Sequence, residues 1–119
     1  MSSEDTCGSV CPYYHRAIEL VGKRWTGAIL LALFEGPAHF AELSRTVPGL
    51  SDRLLSARLK ELEAEELVTR SVVDGVPVRV LYQLTDKGRA LRPALEGLGE
   101  WARRWNAPAD VEAQPATAR

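Results

Sequence analysis

Apolar residues recur at helical spacing along residues 51–66, which read SDRLLSARLKELEAEE. At about 100° per residue, Leu55, Leu59 and Leu62 fall on one narrow face of a helix. Ser51 follows a proline-glycine turn, and its side chain can accept a hydrogen bond from the N–H groups of the first helical turn. The pattern therefore predicts a helix, here called the reader helix, whose apolar face packs against a protein core.

The opposite face of the reader helix combines two cations with a small alanine and an apolar leucine. This composition suits close approach to a base edge or to a thymine methyl group in the major groove of DNA. A solvated amphipathic helix has the same pattern, so this segment alone leaves both interpretations open. The residues of this face are Arg53, Leu54, Ala57, Lys60 and Glu61.

Helical and alternating periodicities predict the other elements of the chain. Cys11-Pro12 marks the start of the first helix, because proline is tolerated at the first helical position. Two β-rich runs flank Asp74-Gly75 and indicate a hairpin, whose loop Val76-Pro77 extends beyond two residues. Thr85 is expected to cap the last helix. Helices are predicted over 13–21, 23–36, 39–47, 51–66 and 86–105, with a kink or local break at Pro93, and strands over 68–73 and 76–85.

This order of elements predicts a winged helix-turn-helix fold, mainly α with a small β-hairpin (α+β). In such a fold the second and third helices hold the reader helix so that it projects from the body of the domain, while the hairpin reaches the neighbouring groove or backbone of DNA. One domain is expected over 11–105, preceded by a flexible N-terminus over 1–10. The tail over 106–119 is predicted to be disordered, because it holds few core-forming residues.

The composition is typical of a soluble globular protein. The 119 residues are 45% hydrophobic and 26% charged, which disfavours the disordered and membrane classes. A long apolar run and a secretory signal are both missing from the sequence, so we expect a cytoplasmic protein that does not bind a membrane. The net charge of −1 gives no overall attraction to nucleic acid. A local basic face can still contact phosphates, because charges beyond about 8 to 10 Å are largely screened.

Several short motifs occur in one order along the chain. They are Cys11-Pro12, Gly22-Lys23-Arg24-Trp25, the segment PGLSDRLLSARLKELEAEELVTR around the reader helix, Tyr82-Gln83-Leu84-Thr85, and GRALRPALEGLGEWA near the end. Each motif is weak alone, but together they are specific. On these motifs the chain resembles the HxlR-type transcriptional regulators, a branch near the MarR regulators.

The resemblance implies a homodimer in which the first and last helices of two subunits pack together. The chain departs from the family pattern at two places. Leu81 stands where the family often has an acidic residue. Gly22-Lys23-Arg24-Trp25 stands where many members read glycine-glycine-lysine-tryptophan, and this form is similar to that of the family's quinone- and electrophile-sensing members.

Eight residues are predicted to bind double-stranded DNA. Arg53 suits a guanine edge, because its guanidinium can bond O6 and N7 together. Arg58 and Lys60 are expected to contact phosphates, although Glu61 offers Arg58 an ion pair at i+3 as an alternative. Arg79 in the hairpin is expected to enter a minor groove or to contact the backbone. The full set is Ser51, Arg53, Leu54, Ala57, Arg58, Lys60, Arg79 and Lys23, the last with surface solvation as an equal alternative.

Cys11 is the candidate sensor of a chemical signal. A helix dipole stabilises the thiolate of a cysteine at the helix N-terminus and raises its reactivity. The resemblance implies sensing as well, since some family members respond to oxidants or electrophiles through a cysteine at this place. The alternative is a small buried residue at the dimer seam. Cys7 is a candidate disulfide partner within the chain, with an intersubunit disulfide as an equal competitor, and no metal is expected because Cys7, Cys11 and His15 lack a fourth zinc ligand.

Aromatic and apolar side chains on the first and last helices are predicted to form the dimer seam. A packed dimer core is one interpretation of this set. A pocket for a small aromatic effector at the same seam is the other, because ligand sites favour such interfaces. The residues are Tyr13, Tyr14, Leu91, Leu95, Leu98, Trp101 and Trp105.

The sequence thus predicts a sequence-specific transcriptional regulator that acts as a homodimer on a palindromic operator. Its candidate signals are thiol oxidation, electrophiles or a small aromatic effector. The alternative is a winged-helix protein-interaction module without DNA binding, suggested by the slightly acidic total and by the glutamates near the end of the reader helix. Neither an enzyme nor a cofactor is expected, because His15 and His39 belong to no recognisable catalytic constellation.

Overall fold

The computed structural model describes residues 11–106. The expectations for the segments 1–10 and 106–119 therefore lie outside the described residues, apart from Asn106. The helices are α1 (Pro12–Val21), α2 (Thr26–Phe34), α3 (Phe40–Thr46), α4 (Asp52–Ala64), α5 (Asp86–Arg89) and α6 (Arg92–Trp105), and the strands are β1 (Ala38–His39), β2 (Val68–Val73) and β3 (Arg79–Leu84). The predicted winged helix-turn-helix fold is confirmed, and the reader helix is α4.

Local capping fixes where these helices begin. The Ser51 hydroxyl accepts a hydrogen bond from the N–H of Leu54 at 3.1 Å and caps the reader helix as predicted. The Thr85 hydroxyl accepts one from the N–H of Gly88 at 3.0 Å and caps α5. Both caps satisfy backbone donors that have no partner inside the helix, so each helix starts at a defined residue.

The core lies between α2, α3, α4 and the sheet. In the reader helix Leu55 and Leu59 are 0% exposed and Leu62 is 1% exposed, which confirms the predicted apolar face. These leucines share one cluster with residues of α2, α3 and β3, among them Ile29, Leu30, Leu33, Leu43, Tyr82 and Leu84. Because the inner face of the reader helix is fully packed against the core, the opposite face points outward.

The sheet has three antiparallel strands in the order β1-β3-β2. The hairpin of β2 and β3 matches the prediction, with Val73 opposite Arg79 and the longer loop between them. Strand β1 was not predicted, because two residues are too few to show an alternating pattern. It is defined only by its pairing, in which Ala38 lies opposite Tyr82 and His39 opposite Leu81.

The segment 86–105 was predicted as one helix with a kink or local break at Pro93, and the break is present but lies earlier in the chain. The segment forms two helices, α5 and α6, which are separated at Ala90 and Leu91. Pro93 lies in the first turn of α6, where its missing N–H costs nothing, so the chain breaks before the proline and not at it. Gly88 in α5 fits closely against the reader helix end, since a Cβ there would lie 2.2 Å from the Leu67 carbonyl oxygen.

The second helix also begins later than predicted. It starts at Thr26, and Trp25 before it has a φ of 79° in the left-handed region. An L residue with a side chain rarely adopts this conformation, so the loop 22–25 turns sharply before α2. Periodicity could not locate this turn, because the apolar spacing continues through Trp25.

Candidate nucleic-acid interface

The outer face of the reader helix presents most of the predicted DNA-binding residues to solvent. Arg53, Ala57 and Lys60 are exposed, and Ser51 is exposed at the helix start. The Ser51 hydroxyl oxygen is engaged as the cap, which leaves its O–H able to donate to another group. Leu54 is different: it is half-buried and packs against the core, so only part of its side chain faces outward.

The cations of the reader helix and hairpin fall into two sets, defined by their partners. Among residues 11–106, no ion pair and no side-chain hydrogen bond involves Arg53, Lys60, Arg70 or Arg79. All four are exposed, and Arg79 begins β3 directly after the hairpin loop. Their positive charge is therefore not neutralised by an ion pair with any residue in the part of the chain that the structure describes.

Arg58 belongs to the second set. Its Nε donates to the carbonyl oxygen of Arg24 at 3.0 Å, and its Nη1 lies 3.3 Å from a carboxylate oxygen of Glu61. Its side chain is only 17% exposed. The alternative considered for Arg58, an ion pair with Glu61, is present in the structure.

Lys23 shares this carboxylate, because its Nζ lies 3.0 Å from Glu61 Oε2. Glu61 thus joins the reader helix to the loop 22–25 through Lys23, and it also pairs with Arg58 within the helix. The sequence showed Glu61 only as a neighbour of Arg58, since its pairing with Lys23 spans 38 positions and leaves no periodic signal. Farther along, Arg16 of α1 lies 3.5 Å from Glu65, which follows the reader helix.

The predicted dimer residues also separate into two groups. Leu91 and Leu95 are half-buried and pack against the core of their own chain. The others are widely exposed, and α1 and α6 contain no buried residue. The exposed fractions are 78% for Tyr13, 64% for Tyr14, 59% for Leu98, 58% for Trp101 and 68% for Trp105.

A cleft of about 350 Å³ lies between α1, the end of the reader helix and α5. Of the predicted effector residues, Tyr13 and Leu91 line it, whereas Tyr14, Trp101 and Trp105 do not. The aromatic side chains of α1 and α6 are therefore not gathered in this cleft.

Cys11 caps α1 and is 2% exposed. Its Sγ accepts a hydrogen bond from the N–H of Tyr14 at 3.4 Å. Cys11 is buried within one chain, so its burial does not require a second subunit. Cys7 lies outside the described residues. Within 11–106, no cluster of three His, Cys, Asp or Glu side chains is arranged to hold a metal ion.

The fold, the exposed cations and the sequence agree with one family. The model of the HxlR-like helix-turn-helix family matches residues 20–110. The chain belongs to this family. It is 44% identical to the HTH-type transcriptional regulator YvaP of Bacillus subtilis, over 87% of this chain and 95% of that protein.

Solved structures of HxlR-like regulators extend the comparison to the fold. The reduced form of YodB from B. subtilis is 42% identical, with a TM-score of 0.74 over 83% of this chain and 97% of that one. Quinone-bound YodB is 41% identical, with a TM-score of 0.72 over 81% and 100%. The reduced redox regulator HypR is 33% identical, with a TM-score of 0.73 over 76% and 90%.

The family relationship makes this chain a transcriptional regulator, and its relatives are named as regulators and not as enzymes. Across residues 11–106, every helix is too short or too polar to cross a membrane. The family implies binding to DNA, and the geometry above identifies which side chains are available for it.

Proposed function

We propose that this protein binds a specific double-stranded DNA operator through the reader helix and the hairpin. The observation that supports this proposal is the exposed set Arg53, Lys60, Arg70 and Arg79, which makes no ion pair within residues 11–106. Phosphate contacts by such cations release counterions and supply much of the affinity for DNA. The net charge of −1 does not oppose this, because several acids are engaged by other cations.

Each side chain of the interface has a distinct role in the proposal. Arg53, near the start of the reader helix, contacts a guanine edge in the major groove. Ala57 and the outer part of Leu54 approach a thymine methyl group. Ser51 and Lys60 contact phosphates, which fixes the register without reading sequence.

Arg79 extends the interface to the hairpin, where it contacts the adjacent minor groove or the backbone. Arg58 and Lys23 act differently, because direct contact with DNA would require them to leave Glu61. We assign them to holding the reader helix against the loop 22–25. Arg58 Nε donates to the Arg24 carbonyl oxygen at 3.0 Å, and Lys23 Nζ lies 3.0 Å from Glu61.

The proposed functional unit is a homodimer on a palindromic operator. The exposed aromatic residues of α1 and α6 form apolar surfaces that a second subunit can cover. Two-fold symmetry then presents two reader helices to successive major grooves, about 34 Å apart along the duplex. Leu91 and Leu95 pack against the core of their own chain, so we leave them out of the proposed seam. The proposed seam then consists of Tyr13, Tyr14, Leu98, Trp101 and Trp105.

A mobility-shift assay with the DNA upstream of the protein's own gene tests the proposal. We expect a saturable shift that is lost as salt is raised, and a retained shift for Arg103→Ala, which removes a cation outside the interface. The absence of any shift at low salt would instead support a protein-interaction module. The glutamates near the end of the reader helix suggested that alternative. Two of them, Glu61 and Glu65, are engaged by Lys23, Arg58 and Arg16, which weakens the support for it.

Regulation through Cys11 is the second part of the proposal. YodB is known in a quinone-bound form and HypR in an oxidized form, which makes a thiol-directed signal the first one to test here. Because Cys11 is buried and caps α1, its modification requires the start of α1 to open. That opening would disturb the helix assigned to the dimer seam.

Cys11→Ser tests this switch while it retains a side chain that can cap the helix. We expect quinone or diamide to release wild-type protein from operator DNA and to leave the Cys11→Ser variant bound. Cys7→Ser distinguishes a Cys7–Cys11 disulfide from modification of Cys11 without Cys7, and mass spectrometry locates the modified residue. An unchanged response of Cys11→Ser to both reagents would exclude Cys11 as the sensor.

A further inference from the structure

A cleft of about 460 Å³ separates the reader helix from the hairpin. Its floor is aromatic, with the rings of Phe40 and Tyr82 at a centroid distance of 6.5 Å. The reader helix contributes Ser56, Lys60 and Glu63 to one side, and Arg70 of β2 lines the other. The cleft thus lies between the two elements that the proposed function assigns to neighbouring grooves.

Arg70 occupies an unusual position for an arginine. In the hairpin it lies opposite Tyr82, and Val68 on the same side of β2 lies opposite Leu84. Side chains two positions apart point to the same face of a strand, so Arg70 shares the face that Val68, Tyr82 and Leu84 bury. Its guanidinium is nevertheless exposed, because this end of the face opens into the cleft.

The charges that line the cleft are not paired with each other. Glu63 contributes to the lining, but within residues 11–106 no ion pair of 4.0 Å or less joins it to Lys60 or Arg70. Two cations therefore line the same cleft from opposite elements, and neither has an ion pair with a residue of the segment 11–106. An arginine and a lysine arranged this way match the charge and acceptors of a phosphate group.

We infer that Arg70 and Lys60 bind one backbone phosphodiester of the operator, and this inference rests on the proposed function. A protein with its reader helix in a major groove and its hairpin at the adjacent minor groove straddles the single DNA strand that separates the two grooves. The cleft lies at that position between the same two elements. The phosphate of this strand therefore enters between Lys60 and Arg70.

Glu63 lowers the affinity of the proposed site for the phosphate. Its carboxylate faces the same phosphate and repels it, so Glu63→Gln strengthens binding several-fold at low salt. Arg70→Ala weakens binding roughly tenfold for all sequences and lowers the salt slope by at most about 0.9 for each subunit bound, because Lys60 remains at the same phosphate. Arg70→Lys retains the charge and most of the slope, and thermal unfolding shows whether each variant is folded.

A series of operator duplexes, each with one neutral methylphosphonate in place of a phosphate, tests the inference directly. At one position in each half-site, the substitution should weaken wild-type binding more than it weakens Arg70→Ala, and it should have no further effect on the double variant Lys60→Ala, Arg70→Ala. Equal losses for wild type and Arg70→Ala at every position would overturn the inference while the DNA-binding function stands. A wild-type protein that binds no duplex would overturn both.

A second arm distinguishes the DNA backbone from free phosphate. Titration of the DNA-free protein with inorganic phosphate, at constant ionic strength and followed by NMR, should give no saturable shift of Arg70 at millimolar concentration. A saturable shift that is lost in Arg70→Ala would make the cleft a free-phosphate site and would contradict the inference.

Discussion

Arg53 and Arg58 lie five positions apart on the reader helix, yet their surroundings are opposite. Arg53 is exposed and makes no ion pair or side-chain hydrogen bond within residues 11–106, whereas Arg58 is 17% exposed and is held by Glu61 and the Arg24 carbonyl. One face of the helix, with Arg53 and Lys60, therefore offers positive charge to a ligand. Another face uses charge to attach the helix to the loop 22–25.

This difference explains how a chain with a net charge of −1 can bind DNA. Glu61 and Glu65 are engaged by Lys23, Arg58 and Arg16. Within residues 11–106, Arg53 and Lys60 of the outer face have no carboxylate partner. Local arrangement, and not total charge, sets the field that a phosphate meets within a screening distance of about 8 to 10 Å.

Removal of the exposed cations should produce the largest effect. We expect the double substitution Arg53→Ala and Arg79→Ala to weaken operator binding about 100-fold or more, because it deletes two contacts worth about 1 to 3 kcal/mol each. Fluorescence anisotropy with a labelled operator measures this. Binding unchanged from wild type would show that the outer face and the hairpin do not form the interface.

Removal of Arg58 should act on stability first. Arg58→Ala leaves Glu61 with Lys23 alone and removes the donor to the Arg24 carbonyl, so we expect a loss of about 1 to 3 kcal/mol in the free energy of unfolding. Urea denaturation measures it, with Arg53→Ala as the matched control that should leave stability nearly unchanged. Full stability together with lost DNA affinity would instead place Arg58 at the DNA.

Local patterns in the sequence were sufficient for the reader helix. The leucine stripe, the Ser51 cap and the outward cations all depend on residues within one helix, so periodicity predicted them. The break at Ala90 and Leu91 was misplaced, because proline restricts the residues before it as well as its own position. Strand β1 was missed because its two residues are defined only by pairing with β3.

The contacts that distinguish the ion-paired cations from the exposed ones could be recognised only in the folded structure. Lys23 and Glu61 lie 38 positions apart, and nothing in the spacing indicates that they meet. Arg70 sits in a β-rich run, and its relation to Lys60 depends on how the hairpin packs beside the reader helix. The sequence therefore predicted an interface, but it did not indicate which of the cations in it make ion pairs within the fold.

The salt dependence of operator binding tests the division of cations most directly, with Lys60 and Lys23 as a matched pair of lysines. Lys60→Ala should lower the slope of log affinity against log salt by up to about 0.9 per subunit, because a cation is removed from a phosphate contact. Lys23→Ala should leave the slope unchanged and cost at most about 1 kcal/mol of stability, since it removes a partly exposed ion pair. Equal slopes for Lys60→Ala and wild type, or a lowered slope for Lys23→Ala, would contradict the account.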